Sequence, residues 1–560
     1  MEDMAGECWA IDWNPRFPSW IFACTYSGCN LPALLVAAAA GIHVSRELAP
    51  LQPVSFTKTI VEIPRVNLHL HQMNHLLTMS NTTRAGSSKG ISARLRRRAI
   101  IPRNAGRLGK QSPSGDLELL CSSATSRINI VLKDNGGSGL LRTPMFLLSK
   151  ELVWEALNTQ SSVLKDCAAK AYTAAAAASS QGGCSFDLQL CLSVKTQPHK
   201  AVLQMARQKS YFGECISLSE VRACLEAGFA PEEIVLTGPG KFWDSTPHVA
   251  MPCTKTTPLK GIFADSLADL KRVVARLLDP QDWLNCEVVG VRFCPSWGAD
   301  SRFGIDCRDP QCLDAAAKLL TSLPPHIQLG THFHHASSNL GADLWFDLAR
   351  AFLSLTEAFA SLCGSRNVAV VDFGGGWTAD FLTMEANKTR MTTLFTQVLH
   401  ATPRISPSKK TLTIQFEAGK CITERAGGIL SRVLEIRELS SSSEDDGGSK
   451  WRTDDLLLKG SGSRAVILDC TIGDISACHT FPHPLLWFNS QTKGWELIQT
   501  GGPDSVLGRS CMEFDGFFQV SLPPEMVPGD LVMVCRSGAY DSSMQYNFGD
   551  GVGRDQLELL

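Results

Sequence analysis

The residues of this 560-residue chain that could do chemistry sit at the ends of apolar runs. FDLQLCLSVK reads as a buried strand closing on Lys195. An ammonium placed there loses hydration, which lowers its pKa and frees the amine to attack a carbonyl. The competing reading is a structural cation satisfied by a neighbour. VVDFGGGW sets Gly374, Gly375 and Gly376 directly after another strand-like run. Backbone N–H groups there can close on an anion such as phosphate, although a plain tight turn uses the same residues. THFHHASS places His332, His334 and His335 at a third strand end. Side chains alternate along a strand, so His332 and His334 share a face and His335 lies opposite. With no acidic or Cys neighbour in that segment, ring stacking or hydrogen bonding ranks above metal ligation. IQFEAGK brings Glu417 to a fourth strand end, followed by Ala418, Gly419 and Lys420. A buried carboxylate there needs a cationic partner.

These residues meet only if the strands carrying them lie side by side. From about Leu117 onward, strand-length apolar runs alternate with helix-length patterns. Residues 145–150, 186–194, 233–238, 286–293, 327–334, 368–376 and 411–419 read as buried strands, and 219–228, 265–278 and 344–362 as helices. Strand, helix, strand in repetition requires a parallel sheet with right-handed crossovers. This many units favour a closed (β/α)8 TIM-like barrel, whose functional groups gather at the C-terminal strand ends. The barrel is expected over 151–423, preceded at 116–150 by the first strands of a second domain. After about Glu424 the helical pattern fades, and 465–471, 516–522 and 530–536 read as strands between Gly, Pro and Asp turns. A mainly β domain is therefore expected over 424–560, with a polar surface insert at 439–462. The fold class is α/β plus β. One lysine, one anion cradle, one His and one carboxylate at barrel strand ends are what a pyridoxal 5'-phosphate site requires.

Composition removes other classes. Lys plus Arg is 53 and Asp plus Glu is 55, a formal net charge of -2, without the basic excess of a nucleic-acid protein. The 20 Cys show no C-x-x-C pair, so reduced thiols in a cytoplasmic protein are expected, with no structural metal. The apolar stretch between Phe17 and Glu47 is too short and interrupted to span a bilayer, so no membrane association is expected. The opening MEDMAGE lacks the basic start of a secretory signal. No Asp or Glu occurs between Ile63 and Ser114 while Arg is frequent, so residues 1–115 are expected to be a largely disordered extension. A mitochondrial presequence would require translation to start at Met73 or Met79. His69, His71 and His75 in that extension are read as incidental.

Eight segments carry a specific resemblance. VKTQPHKAVLQMA (194–206), ISLSEVRACLEAGFAPEEIVLTGPGK (216–241), SRFGI (301–305), HFHHASS (332–338), DFGGGW (372–377), FEAGK (416–420), SCMEFDGF (510–517) and GAYDSSM (538–544) follow one another in order. Over about Leu141 to Asn547 the chain resembles the ornithine/diaminopimelate/arginine decarboxylase family. These are group IV pyridoxal phosphate-dependent decarboxylases of alanine-racemase-like fold, and the nearest in look are the diaminopimelate decarboxylases. The resemblance implies an amino-acid decarboxylase, a lyase, with Lys195 as its Schiff-base residue and His334 stacked on the cofactor ring. It implies that Ser337, Gly374, Gly375, Gly376 and the turn Glu417–Ala418–Gly419–Lys420 hold the cofactor, helped by Tyr540, with Glu417 on the pyridine nitrogen. Cys511 would be the proton donor, reaching the neighbouring subunit's barrel from the β domain of a two-fold homodimer. Met512, Asp515 and Tyr540 would face the substrate.

The departures concern the substrate. Thr196 and Gln197 replace the small residue and Asn that usually follow the lysine. The family's acidic residue after the catalytic Cys, which receives a distal amine, is Met512 here, with Glu513 one place later. The stretch 473–484 lacks the Arg and Tyr that bind the distal carboxylate of diaminopimelate, and the phosphate-turn Pro and Arg are Ala418 and Lys420. Lysine cannot make the bidentate carboxylate contact of arginine. An amino acid other than diaminopimelate or ornithine, used in a specialised pathway, is the expected substrate. A racemase or other Cα-transforming enzyme on the same fold, and a non-catalytic regulatory homologue, remain the alternatives.

Overall fold

The computed structural model describes residues 142–178, 184–239, 241, 257–282, 284–294, 303–335, 341–438, 464–478, 483–489, 491–512 and 515–546, with 117, 120–122, 125, 548 and 557–559. The expected disordered extension 1–115 and the polar insert 439–462 lie outside the described residues.

Strand β1 (Met145–Leu148) leads into the long helix α1 (Lys150–Ala178). The barrel follows as β2 (Ser185–Ser193), α2 (Lys200–Gln208), β3 (Phe212–Cys215), α3 (Leu218–Glu226), β4 (Ile234–Leu236), β5 (Leu259–Ala264), α4 (Leu267–Leu278) and β6 (Cys286–Cys294). It continues through the two-residue β7 (Ile305–Asp306), α5 (Pro310–Thr321), β8 (Gln328–His332), α6 (Ala342–Leu362), β9 (Val368–Gly375), α7 (Glu385–Ile405) and β10 (Thr411–Ala418). Neighbours run β2, β3, β4, β5, β6, β8, β9, β10 and back to β2, every pair parallel, so the sheet closes on itself. β7 only extends the edge of β6. Polar caps start the helices: Ser217 Oγ accepts the Glu220 N–H at α3, Ser266 Oγ the Asp269 N–H at α4, and Asp309 the Gln311 N–H at α5, where Pro310 takes the first helical position. Each cap turns the chain out of a strand end and onto the outer layer.

Inside the ring, Cys191, Val235, Phe263, Val288, Ala369 and Val370 form one apolar layer. Phe263 fits because two facing strands carry glycine. A Cβ on Gly290 would lie 2.4 Å from its ring, and one on Gly330 2.9 Å. The barrel is thus a packed core, and only its strand ends offer room for chemistry.

After the short α8 (Lys420–Thr423) the chain enters a second domain of β11 (Gly427–Glu438), β12 (Arg464–Leu468), β13 (Leu485–Asn489), β14 (Gly494–Leu507), β15 (Gly516–Ser521) and β16 (Leu531–Cys535), then α9 (Asp541–Met544) and β17 (Leu557–Leu559). β11, β12, β14, β13 and β16 form a ring that returns to β11. β1 lies antiparallel on β11, with Phe146 opposite Ile429, and β17 pairs parallel with β1. Phe146, Val466, Leu485, Trp487 and Val534 pack within this domain. Within 116–150, Leu117, Leu120, Cys121, Ser122 and Thr125 are helical and β1 is the strand among the described residues. Leu117, Leu120 and Cys121 recur at helical spacing, Leu120 is fully buried, and Thr125 Oγ1 accepts the Trp495 Nε1–H at 3.0 Å, so tertiary contacts hold this turn against the second domain. No helix among the described residues is long and apolar enough to cross a membrane.

Candidate active site

The last five residues of β2 are buried, and a single 3-10 turn at Val194–Thr196 then presents Lys195. Lys195 Nζ donates to Ser193 Oγ at 2.7 Å and to Glu214 Oε2 at 2.9 Å. Glu214 comes from β3, is fully buried, and also accepts Ser193 Oγ–H at 2.5 Å and the Thr237 hydroxyl. Burial works against the lysine charge, but the Glu214 carboxylate, reinforced by Glu417 and Tyr540, overrides it and raises the Lys195 pKa. The expected desolvated lysine of low pKa is therefore corrected: a carboxylate from the adjacent strand, 19 residues away, holds the ammonium form.

β10 carries Glu417 against the end of β8. Glu417 Oε1 lies 3.5 Å from His332 Nε2, and Oε2 lies 3.2 Å from His334 Nδ1. Burial opposes ionisation of this carboxyl, yet His332 and His334 hold its pKa well below the ordinary value. The acidic neighbour missing from the local His segment is thus supplied from another strand, and one donor atom from each of the three residues falls within 4.8 Å of the others. Glu417 Oε1 and both ring nitrogens of His332 are buried without a hydrogen-bond partner.

The glycine turn closes on the same spot. Gly375 N–H points at His334 Nδ1 at 3.2 Å, and Gly374 N–H donates to the buried Asp372 at 2.8 Å. Gly374 and Gly376 have φ of +62° and +85°, which side chains rarely adopt. A Cβ on Gly375 would lie 1.9 Å from the Glu417 carbonyl oxygen, and one on Gly419 2.6 Å from the Thr196 methyl. The turn therefore stays bare of side chains. Lys420, 6% exposed, stands in α8 beside it; burial lowers its pKa against the pull of Glu424. An unsatisfied carboxylate oxygen, a backbone cradle, a half-buried His334 and a lysine in one mouth fit a pyridine ring carrying an aldehyde and a phosphate.

The second domain reaches into this mouth. Tyr540 N–H donates to Thr196 O at 2.8 Å, and its own backbone takes φ +73°, a strained value for a bulky residue. Its phenol is raised by burial and pulled back by the Lys195 charge. Gln197 Nε2 donates to Gly538 O at 3.1 Å and to Ser542 Oγ at 3.0 Å. The departure at position 197 therefore ties the lysine turn to the Tyr540 segment.

Several site residues escaped the sequence reading: Glu214, Asp372, and the pair Arg292–Asp265 at the ends of β6 and β5. Arg292 Nη1 lies 3.6 Å from Asp265 Oδ1, Nη2 donates to His334 O at 3.4 Å, and the guanidinium sits 5.0 Å from the Phe303 ring centroid. A charge set inside the apolar runs FGEC and CEVVGVRF was the available signal. Glu220 is a further one. Its Oε2 accepts Ile216 N–H at 2.8 Å, while burial and the nearby Glu214 push its pKa up to about 7. A carboxyl whose pKa is raised on folding costs stability as pH climbs from its unfolded value near 4.5 through about 7. Glu220→Gln should flatten that slope, gaining about 1–2 kcal/mol at pH 8 relative to pH 5 after allowance for partial exposure. Denaturant midpoints of the two proteins at both pH values measure it; parallel pH slopes would refute the assignment.

Not every expected residue converges. Ser337 lies outside the described residues. Cys511 is exposed on the connection between β14 and β15. Met512 packs against the core of its own domain. The Asp515 carboxylate accepts the Ile472 and Ser510 N–H groups at 2.7 and 2.8 Å, so it is spent on shaping the Cys511 loop and does not stand free for a substrate.

Residues 171–424 match the family model for the pyridoxal-dependent decarboxylase, pyridoxal binding domain. A diaminopimelate decarboxylase of Helicobacter pylori is 23% identical over 377 residues, 64% of this chain and 81% of that protein. The Staphylococcus aureus 2-[(L-alanin-3-ylcarbamoyl)methyl]-2-hydroxybutanedioate decarboxylase is 21% identical, over 64% of this chain and 84% of its own. Among solved structures, the lysine/ornithine decarboxylase of Vibrio vulnificus, complexed with putrescine, superimposes with a TM-score of 0.53 at 16% identity, covering 79% of this chain and 99% of that one. The last comparison speaks for the fold.

Proposed function

We propose that this chain, whose residues 171–424 match the pyridoxal-dependent decarboxylase model, is a pyridoxal phosphate-dependent amino-acid decarboxylase acting on an amino acid other than diaminopimelate or ornithine, with Lys195 holding the cofactor and Cys511 returning a proton to Cα. The observation that carries this reading is the convergence of Lys195, Glu417, His334 and the bare glycine turn at one end of the barrel.

Bound pyridoxal phosphate supplies a ring that accepts the electron pair left on Cα when CO2 departs. The chain's own residues do the rest. Glu214, 2.9 Å from Lys195 Nζ, is placed to take the proton that the ammonium must lose before the amine can attack. Glu417, kept ionised by its two histidines, would hold a proton on the pyridine nitrogen of bound cofactor. His334 would support the ring face, the side-chain-free turn of Gly374, Gly375, Gly376 and Gly419 would leave room for the phosphate against the backbone, and buried Lys420 would balance its charge. Cys511 is exposed in its own subunit, which suits service in the partner of a two-fold homodimer.

The substrate reading rests on Met512, whose side chain packs on its own domain where an acidic residue would bind a distal amine. A distal charge left unpaired in a closed site is costly. In an amino-acid panel assayed for CO2 with added cofactor, meso-diaminopimelate and ornithine should turn over about 100-fold more slowly than the best substrate. The same panel run in deuterium oxide with Cys511→Ala should still consume substrate but give product with scrambled placement of the Cα deuteron. Robust turnover of meso-diaminopimelate would sink the substrate assignment, and stereochemically clean product from the variant would sink the role of Cys511.

A further inference from the structure

We propose that, in the absence of cofactor, His332, His334 and Glu417 bind a borderline divalent cation, zinc(II) or cobalt(II), and that this metal and pyridoxal phosphate exclude one another. The inference deepens the reading of the site as a cofactor site and rests on it for the exclusion, though not for the metal binding itself.

Two imidazoles and a carboxylate are a common donor set for zinc, with ligand distances of about 2.0–2.2 Å. Two donors on one such ion lie at most about 4.4 Å apart. The three donors here fall within 4.8 Å of one another, with His332 Nε2 3.5 Å from Glu417 Oε1 and His334 Nδ1 3.2 Å from Glu417 Oε2. Small side-chain rotations close the set around an ion. A second observation points the same way. His332, 2% exposed, has no hydrogen-bond partner on either ring nitrogen, and Glu417 Oε1 is also buried and unpartnered. Buried polar atoms left so are costly and call for a partner. One pyridine nitrogen can satisfy Glu417 Oε1, but it gives His332 nothing; an ion between them satisfies both residues.

Electrostatics decide how strongly. Glu214 and Asp265 face the cluster and favour a cation, while Lys195 and Arg292 oppose it; Asp372, whose pKa is pushed well up by burial and by Glu417, adds little. The Lys195 charge is already compensated by Glu214 and that of Arg292 by Asp265, so Glu417, whose partners are the two histidines themselves, is the carboxylate left to meet an ion. The exclusion follows from the same atoms: Glu417 cannot serve an ion and a pyridine nitrogen together, and His334 cannot both ligate through Nδ1 and lie flat against a ring.

Cofactor-stripped protein titrated calorimetrically with zinc chloride should show one tight site per chain. Cobalt chloride should give a visible band of a nitrogen- and oxygen-ligated ion. Affinity should fall about 100-fold in both His332→Gln and Glu417→Gln, with unfolding midpoints certifying that each variant is folded. Protein saturated with pyridoxal phosphate should lose this site, and zinc-loaded protein should take up cofactor more slowly, read from the lysine-attached cofactor absorbance. No tight zinc site, a site unchanged in both variants, or a site that persists at full strength in the cofactor-loaded protein overturns the proposal. Failure of the wild-type protein to take up pyridoxal phosphate without metal would instead count against the cofactor reading, and the zinc titration would still be decided by the two variants.

Discussion

Lys195→Ala should leave a protein without lysine-attached pyridoxal phosphate that releases CO2 about 1,000-fold more slowly than the wild type. On the proposed reading, the variant loses the amine that would join the cofactor covalently to the chain. It also strands Glu214, which is fully buried and would keep only the hydroxyls of Ser193 and Thr237. A buried carboxylate deprived of its cation costs about 1–3 kcal/mol, so a lower unfolding midpoint is expected alongside the lost activity. The two effects separate in the double variant Lys195→Ala, Glu214→Gln, which should regain most of the stability and none of the activity. Retention of the cofactor's visible band in Lys195→Ala would end the assignment of the lysine.

Glu417→Gln should divide cofactor attachment from its use. Lys195 is untouched, so the visible band persists. A glutamine cannot hold a protonated pyridine nitrogen, so CO2 release should fall about 100-fold at saturating substrate. The pH profile gives a second reading. The carboxyl of Glu417 is kept low by His332 and His334, so the wild type should keep its ring partner ionised across the ordinary acidic range, and lost activity below neutrality must come from other groups. Equal kcat in wild type and variant would show that Glu417 does not act on the ring.

The sequence carried the architecture further than it carried the electrostatics. β2, β6, β8, β9 and β10 are long apolar runs and could be read one by one. β3, with four residues including Gly213 and Glu214, and β5, a short run among turns, show no period to read, although closure of the barrel depends on both. α1 ends in an alanine tract, and alanine is the strongest helix former. At the site, the motifs yielded Lys195, His334 and Glu417 because each ends a recognisable strand. Glu214 and Arg292 showed only as charges inside apolar runs, and their meaning, like that of Asp265, lies in pairs joined across neighbouring strands. The lysine illustrates the cost: read alone it should be easily deprotonated, and beside Glu214 it is held as the ammonium. The idle fate of Asp515 was equally hidden, since its partners Ile472 and Ser510 come from separate loops.

The place of β1 governs how the protein must be made. Its antiparallel neighbour begins at Gly427 and its parallel neighbour at Leu557. When β1 leaves the ribosome, neither exists, and at ordinary synthesis rates the wait is on the order of tens of seconds. The strands from Ser185 to Ala418 can close meanwhile, so the nascent barrel is expected to form first with Met145–Leu148 dangling as an unpaired, apolar edge. Holding chaperones would have their natural target there, and separately expressed halves cut at residue 424 would leave Phe146 without the core it fills.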